Sequence, residues 1–171
     1  GRVSEPERAV DGDPYAEENV VMRGTPRGRF EEVKPSGGVA TPIVATSRAA
    51  AFGDIDGDGD VDILVHNRDG GVHLMRNDAG DERAAVVLDV VTSVGAPAIG
   101  AAVYVQGVDG AESRYEVRTA GSYGAASSHL LHLAVHSDVS ALLYRVVWSD
   151  GSEGPKGSAP AGEITRLQRS R

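Results

Sequence analysis

From residue 19 onward, short apolar runs alternate with turns rich in glycine, proline and aspartate, and no stretch of ten residues carries a helical period. That spacing predicts strands. Asn19 to Met22 and Arg29 to Val33 read as two short strands around a Gly24–Gly28 turn, and residues 34–47 as a loop. Ala49 to Phe52 enters an acidic segment and Ile63 to Val65 leaves it. Asp69-Gly70-Gly71 then turns the chain and Val72 to Met75 returns. Strand, acidic loop, strand, turn, strand is an antiparallel meander. Residues 1–18, with Pro6, Pro14 and an Asp11-Gly12-Asp13 turn, read as a polar lead-in.

The character changes near Asn77 to Arg83, and a boundary is expected there, giving regions 19–80 and 81–171. The second region opens with apolar strands at Ala84 to Val91 and Ile99 to Val105. A Val108-Asp109-Gly110 turn follows, then strands at Ser113 to Arg118, Leu130 to Val135 and Leu142 to Trp148. Asp150-Gly151 reads as a turn, the Gly/Pro/Ser-rich stretch after it as loop, and Glu163 to Leu167 as a last strand. The strand spacing fits a small sandwich or barrel-like domain.

Composition narrows the core and the partners. Apolar residues make up 40% of the chain but aromatics only 5%, so valine, isoleucine, leucine and alanine must supply the packing. The 25 acids against 17 bases, net -8, argue against nucleic acid or an anionic membrane as partner, since both select basic patches. The charge suits bound cations. There is no cysteine, which excludes disulfide and thiolate-metal frameworks. No apolar run approaches the ~20 residues of a membrane-spanning helix, so membrane insertion is not expected. No signal-peptide pattern is read at Gly1.

The candidate chemistry lies in Asp54-Ile-Asp56-Gly-Asp58-Gly-Asp60-Val-Asp62, five carboxylates at alternate positions. Calcium takes six to eight oxygens at about 2.3–2.6 Å. A tight loop supplies them when side chains at positions 1, 3, 5 and 9 turn inward and position 7 gives its carbonyl. The expected side-chain ligands are Asp54, Asp56, Asp58 and Asp62, with the main-chain carbonyl of Asp60. Gly57 and Gly59 permit the backbone angles of the wrap. An EF-hand would need a glutamate where this chain has Val65, and helices where it has strand patterns. Without a counterion, five crowded like charges repel.

Residues 50–65, followed by Asn67, Gly70 and Leu74 to Asp78, resemble the FG-GAP/VCBS repeat of integrin-like β-propellers. Asn19 to Gly24 and Gly28 to Val33 look like the tail of a preceding repeat. Ala98 to Val103, Tyr115 to Gly124, Leu131 to Leu133 and Tyr144 to Gly151 resemble the ASPIC/UnbV domain, which follows such repeats in cartilage acidic protein-like secreted proteins. The resemblances imply a propeller-like calcium-loop meander packed on a small β-domain, structural calcium, and a secreted or extracytoplasmic location. A propeller typically needs four or more blades, and this sequence holds little more than one repeat. They therefore imply a piece of a longer protein or a rearranged small relative.

Other groups carry weaker chemistry. His129 and His132 read as surface or packing residues, and His66 and His73 as a pair that could meet across the hairpin. Trp148 reads as core, with a sugar-stacking platform as the alternative. No G-x-S-x-G pattern occurs, so no serine nucleophile is indicated. The loop Gly121 to Ser128 combines glycine, hydroxyls and an aromatic, the mix of adaptable binding loops. Tyr123, with Ser122 and Ser127, is the candidate centre of a ligand surface, with tight backbone turns as the local explanation. Two functions stay open: a calcium-stabilised, non-enzymatic binding or adhesion module for a protein or carbohydrate, and an enzyme or accessory domain acting on polysaccharide or another secreted substrate.

Overall fold

The computed structural model describes residues 13–35, 38–78, 83–107 and 110–171. They form β-strands and, among the described residues, no α-helix. The strands are β1 (Glu17–Glu18), β2 (Met22–Gly24), β3 (Phe30–Glu32), β4 (Val44–Ala45), β5 (Ser47–Gly53), β6 (Asp62–Asn67), β7 (Val72–Met75), β8 (Arg83–Val91), β9 (Ala102–Gln106), β10 (Glu112–Glu116), β11 (Ala120–Ser122), β12 (Ala125–Ala126), β13 (Leu131–His136), β14 (Ala141–Val147), β15 (Glu153–Pro160) and β16 (Ile164–Gln168). The all-β expectation holds. The turn residues Asp11, Gly12, Val108 and Asp109 and part of the expected boundary segment lie outside the described residues.

β5, β6 and β7 make a three-stranded sheet in chain order. The described residues fall into two compact units, one holding 13–50 and 64–75, the other 51–63 and the residues from 76 onward. The acidic loop thus groups with the second unit.

The first unit is held by small ladders and a polar knot. β1 pairs with β4 and β2 with β3, both antiparallel. β1 lies inside the segment expected as lead-in and β4 in the expected loop. Both are two residues long, too short for a periodic pattern to register. Asn67 is buried. Its amide oxygen accepts from the Ser47 hydroxyl at 2.9 Å, and its nitrogen donates to the Gly71 carbonyl at 2.8 Å. The Thr46 hydroxyl donates to the Asp13 carboxylate at 2.7 Å. Buried polar groups paired in this way avoid the cost of an unmade hydrogen bond.

The second unit is a two-sheet sandwich, with no sheet among the described residues closing into a barrel. One sheet has the order β10-β9-β14-β15, the other β13-β8-β16. Alternation on β8 sends Val86, Leu88 and Val90 into the core, where they meet Val103 and Val105 of β9, Val146 of β14 and Leu167 of β16. β16 runs parallel to β8, from Ile164 opposite Val87 to Gln168 opposite Val91. It arrives from β15 of the opposite sheet rather than through a hairpin with β8, so the second sheet is mixed.

The stretch read as loop after Gly151 is β15, the largest correction to the sequence reading. Its composition disguised it: Gly154, Pro155, Gly157 and Pro160 are poor strand formers. The glycine at 154 answers to its neighbour. A Cβ there would lie 2.8 Å from Trp148 Nε1 and 2.9 Å from Val146 Cβ. Trp148 is only 6% exposed and belongs to the core, which excludes the sugar-platform alternative. Its ring occupies the space a side chain at 154 would fill, while β15 keeps its ladder to β14.

Candidate metal centre

The acidic loop connects β5 to β6 and is shaped by its own carboxylates. Asp54 accepts from two main-chain N–H groups, Gly57 at 2.7 Å and Gly59 at 2.9 Å. Such Asx-type bonds wind the chain around the side chain. The winding demands left-handed backbone at Gly57 (φ 81°) and Gly59 (φ 95°), which glycine adopts without strain. A Cβ on Gly59 would also sit 3.2 Å from the Ala85 Cβ, so the loop lies close against β8. Asp58 accepts from the Asp60 N–H at 2.9 Å.

Of the five predicted aspartates, the structure brings three together. One carboxylate oxygen from each of Asp54, Asp56 and Asp58 lies within 4.8 Å of the others. Asp60 is half-buried beside them. Asp62 is set apart. It is 1% exposed, and its two oxygens accept from main-chain N–H groups, Ile55 at 2.8 Å and Asn77 at 2.8 Å. Those two bonds, Asn77 first, hold its carboxyl below the ordinary aspartate range against the opposing effect of burial. Asp62 thus ties the start of the loop to the segment after β7. Asn77 as the far anchor was invisible to sequence reasoning, because its contribution is a backbone N–H that any residue except proline could supply.

The donor set suits a hard cation. The converging atoms are carboxylate oxygens, and N–H donors pin the Asp54 and Asp58 side chains into one arrangement. The nearby cation is weakly placed. Arg76 lies 3.7 Å from Asp56 but pairs more closely with Asp78, at 2.8 Å. Among the described residues no histidine joins the cluster. His73 pairs with Asn67 at 2.9 Å and His66 is exposed. His129 bonds Asp89 at 3.0 Å, while both ring nitrogens of His132 are buried without a partner.

The Gly121–Ser128 segment is a small hairpin, β11 against β12, with Ser122 opposite Ala125 and Tyr123-Gly124 at the tip. Tyr123 is 84% exposed. Ser122 is half-buried in the ladder. Ser127 is engaged locally: its hydroxyl accepts from the Phe52 N–H at 3.1 Å and its N–H donates to the Thr119 carbonyl at 2.8 Å. Ser128 adds an N–H to the Phe52 carbonyl at 2.8 Å. These bonds tie the end of β5 to the hairpin. Tyr123→Ala removes no buried contact and is expected to change stability by no more than ~0.5 kcal/mol in thermal unfolding.

Comparison with known proteins finds a likeness in the later strands of the sandwich. Residues 92–170 match the family described as ASPIC and UnbV. The match begins just after β8 and spans β9 to β16, so this part of the chain is similar to ASPIC and UnbV domains. No curated protein matches the chain.

Proposed function

We propose that this chain is a calcium-stabilised, non-enzymatic binding or adhesion module of a secreted or extracytoplasmic protein. The observation that carries the reading is the convergence of Asp54, Asp56 and Asp58 within 4.8 Å on a loop wound by its own side chains. Three carboxylates held that close repel one another, and a divalent cation converts the repulsion into attraction. The residue-by-residue likeness of 50–65 to an FG-GAP/VCBS repeat favours calcium over magnesium, which keeps more of its own water. When bound, the ion would supply charge neutralisation and a fixed loop shape. Asp54, Asp56 and Asp58 would hold it, with the Asp60 carbonyl as a further donor, while Asp62 anchors the loop through Ile55 and Asn77.

The binding surface belongs to the sandwich. Its support is an exposed aromatic, Tyr123, at the tip of a hairpin anchored to Phe52. The neighbouring groove, about 550 Å3 and open to solvent, suits an extended protein or carbohydrate ligand better than a small substrate.

Calorimetric titration of chelator-stripped protein with calcium should show one ion per chain. The melting temperature should rise with it, reflecting ~2.7 kcal/mol when calcium stands a hundredfold above its dissociation constant. Asp56→Ala should abolish both responses, and Tyr123→Ala should leave both intact. No heat and no thermal shift in millimolar calcium would refute the calcium assignment.

A further inference from the structure

The four-stranded sheet of the second unit has an unguarded edge. β10 ends the four-stranded sheet, its five residues are exposed, and none is proline, glycine or lysine. β15, the opposite edge of the same sheet, carries Pro155, Lys156 and Pro160, the residues that discourage further pairing. The free side of β10 opens on the groove lined by Phe52, Arg114, Tyr115, Glu116, Arg118 and Ser128.

The direction of its main-chain groups follows from the ladder. Val117 donates to Ala101 and accepts from Gly100, and Ala111 accepts from Gly107, so odd-numbered residues turn toward β9. The N–H and C=O groups of Glu112, Arg114, Glu116 and Arg118 therefore face outward. Their side chains alternate in charge: minus, plus, minus, plus.

We propose that β10 is a homotypic docking edge, along which two copies of this chain pair antiparallel about a two-fold axis at Tyr115. In that register Arg114 of each copy faces Glu116 of the other, and Glu112 faces Arg118. All four cross-strand pairs are of opposite charge, and all fall at positions whose main-chain groups face outward. Moving the axis by one residue to Arg114 sets Arg114 against itself and Glu112 against Glu116. Moving it to Glu116 sets Glu116 against itself and Arg114 against Arg118. Axes at Ser113 or Val117 also match backbone and charge but form only two opposite-charge pairs, so the Tyr115 register satisfies both over the greatest length, and it closes the edge in an isologous dimer. In the single chain, Arg114 pairs with Glu116 at 3.2 Å and Glu112 with Arg145 at 2.8 Å. These pairs are exposed and worth little, so exchanging them across the axis costs little. The paired edge is short, so the association is weak and concentration-dependent.

Sedimentation velocity over a concentration series tests this in trans. Wild type should self-associate. Arg114→Glu and Glu116→Arg each place like charges at two of the four pairs and should each weaken association by about tenfold or more. Mixed in equal amounts, the two variants should associate again, because each then meets the opposite charge. A wild type that stays monomeric, variants that associate like wild type, or a mixture that fails to recover would overturn the proposal. Should a charge variant fail to fold, cross-linking decides. The chain has no cysteine, and residue 115 would meet its own copy at a Cα separation of ~4.5 Å, within disulfide range. Tyr115→Cys should form a disulfide dimer under mild oxidation. Ser113→Cys, about 14 Å from its copy in this register, should not. Equal cross-linking of both, or of neither, would overturn it too.

Discussion

Trp148→Ala is expected to cost ~3–5 kcal/mol, the range of large-to-small aromatic truncations in a packed core. The ring is buried among side chains from both sheets of the sandwich, and few other aromatics are available to fill the space. It also fits against the backbone of Gly154, and the Arg169 guanidinium lies 5.6 Å from its centroid. Removing it opens a cavity at the β14–β15 ladder, where glycine offers no side chain to collapse inward. Calorimetry of the sandwich's unfolding transition measures the loss. Gly154→Ala should destabilise as well, since its new methyl would lie under 3 Å from the indole. In the Trp148→Ala background part of that cost should vanish, and the remainder reports the contact with Val146. Strict additivity of the two changes would show that the ring does not dictate glycine at 154.

Asp62→Ala is expected to be the most damaging substitution in the acidic loop, even without calcium. Its buried carboxylate accepts two charge-assisted hydrogen bonds, from Ile55 and Asn77, that join segments on either side of β6 and β7. The loss should be of the order of two such bonds, because both N–H groups would then need new partners. Asp56→Ala is the contrast. Its carboxylate is partly exposed, with Arg76 at 3.7 Å as its ion-pair partner. In chelator it should be neutral or slightly stabilising, because it relieves repulsion within the cluster. In calcium it should forfeit the metal's contribution. Melting curves of both variants, with and without calcium, separate the two roles. Equal loss for the two in chelator would show that Asp62 is not the tie.

The sequence carried the strands it wrote as alternation. β5, β6, β7 and β8 appear close to the predicted positions, because apolar runs there are bounded by aspartate and glycine turns. It did not reveal β15, whose pattern is set by Trp148 across the ladder rather than by its own side chains. β4 and the β11–β12 hairpin escaped because two- and three-residue strands leave no period to read. The parallel placing of β16 escaped because direction is a property of the connection, not of the strand. In the acidic loop the alternating carboxylates were plain from spacing. The different station of Asp62 was not, because what distinguishes it is burial and a distant backbone N–H.

The pairing of β16 with β8 has a consequence for how the domain is made. On a ribosome β8 emerges early, with Val86, Leu88 and Val90 ready to be buried. One flank of β8 waits for β13 and the other for β16, which follows every other strand of the sandwich. Until β16 emerges, the central strand keeps an open flank and an incompletely covered apolar face. Pairings this distant in sequence are slow to form, because loop-closure entropy is spent before contacts return it. The nascent domain is therefore most prone to aggregate late in synthesis, and a truncation inside residues 164–168 should fail as a whole domain rather than as a frayed end.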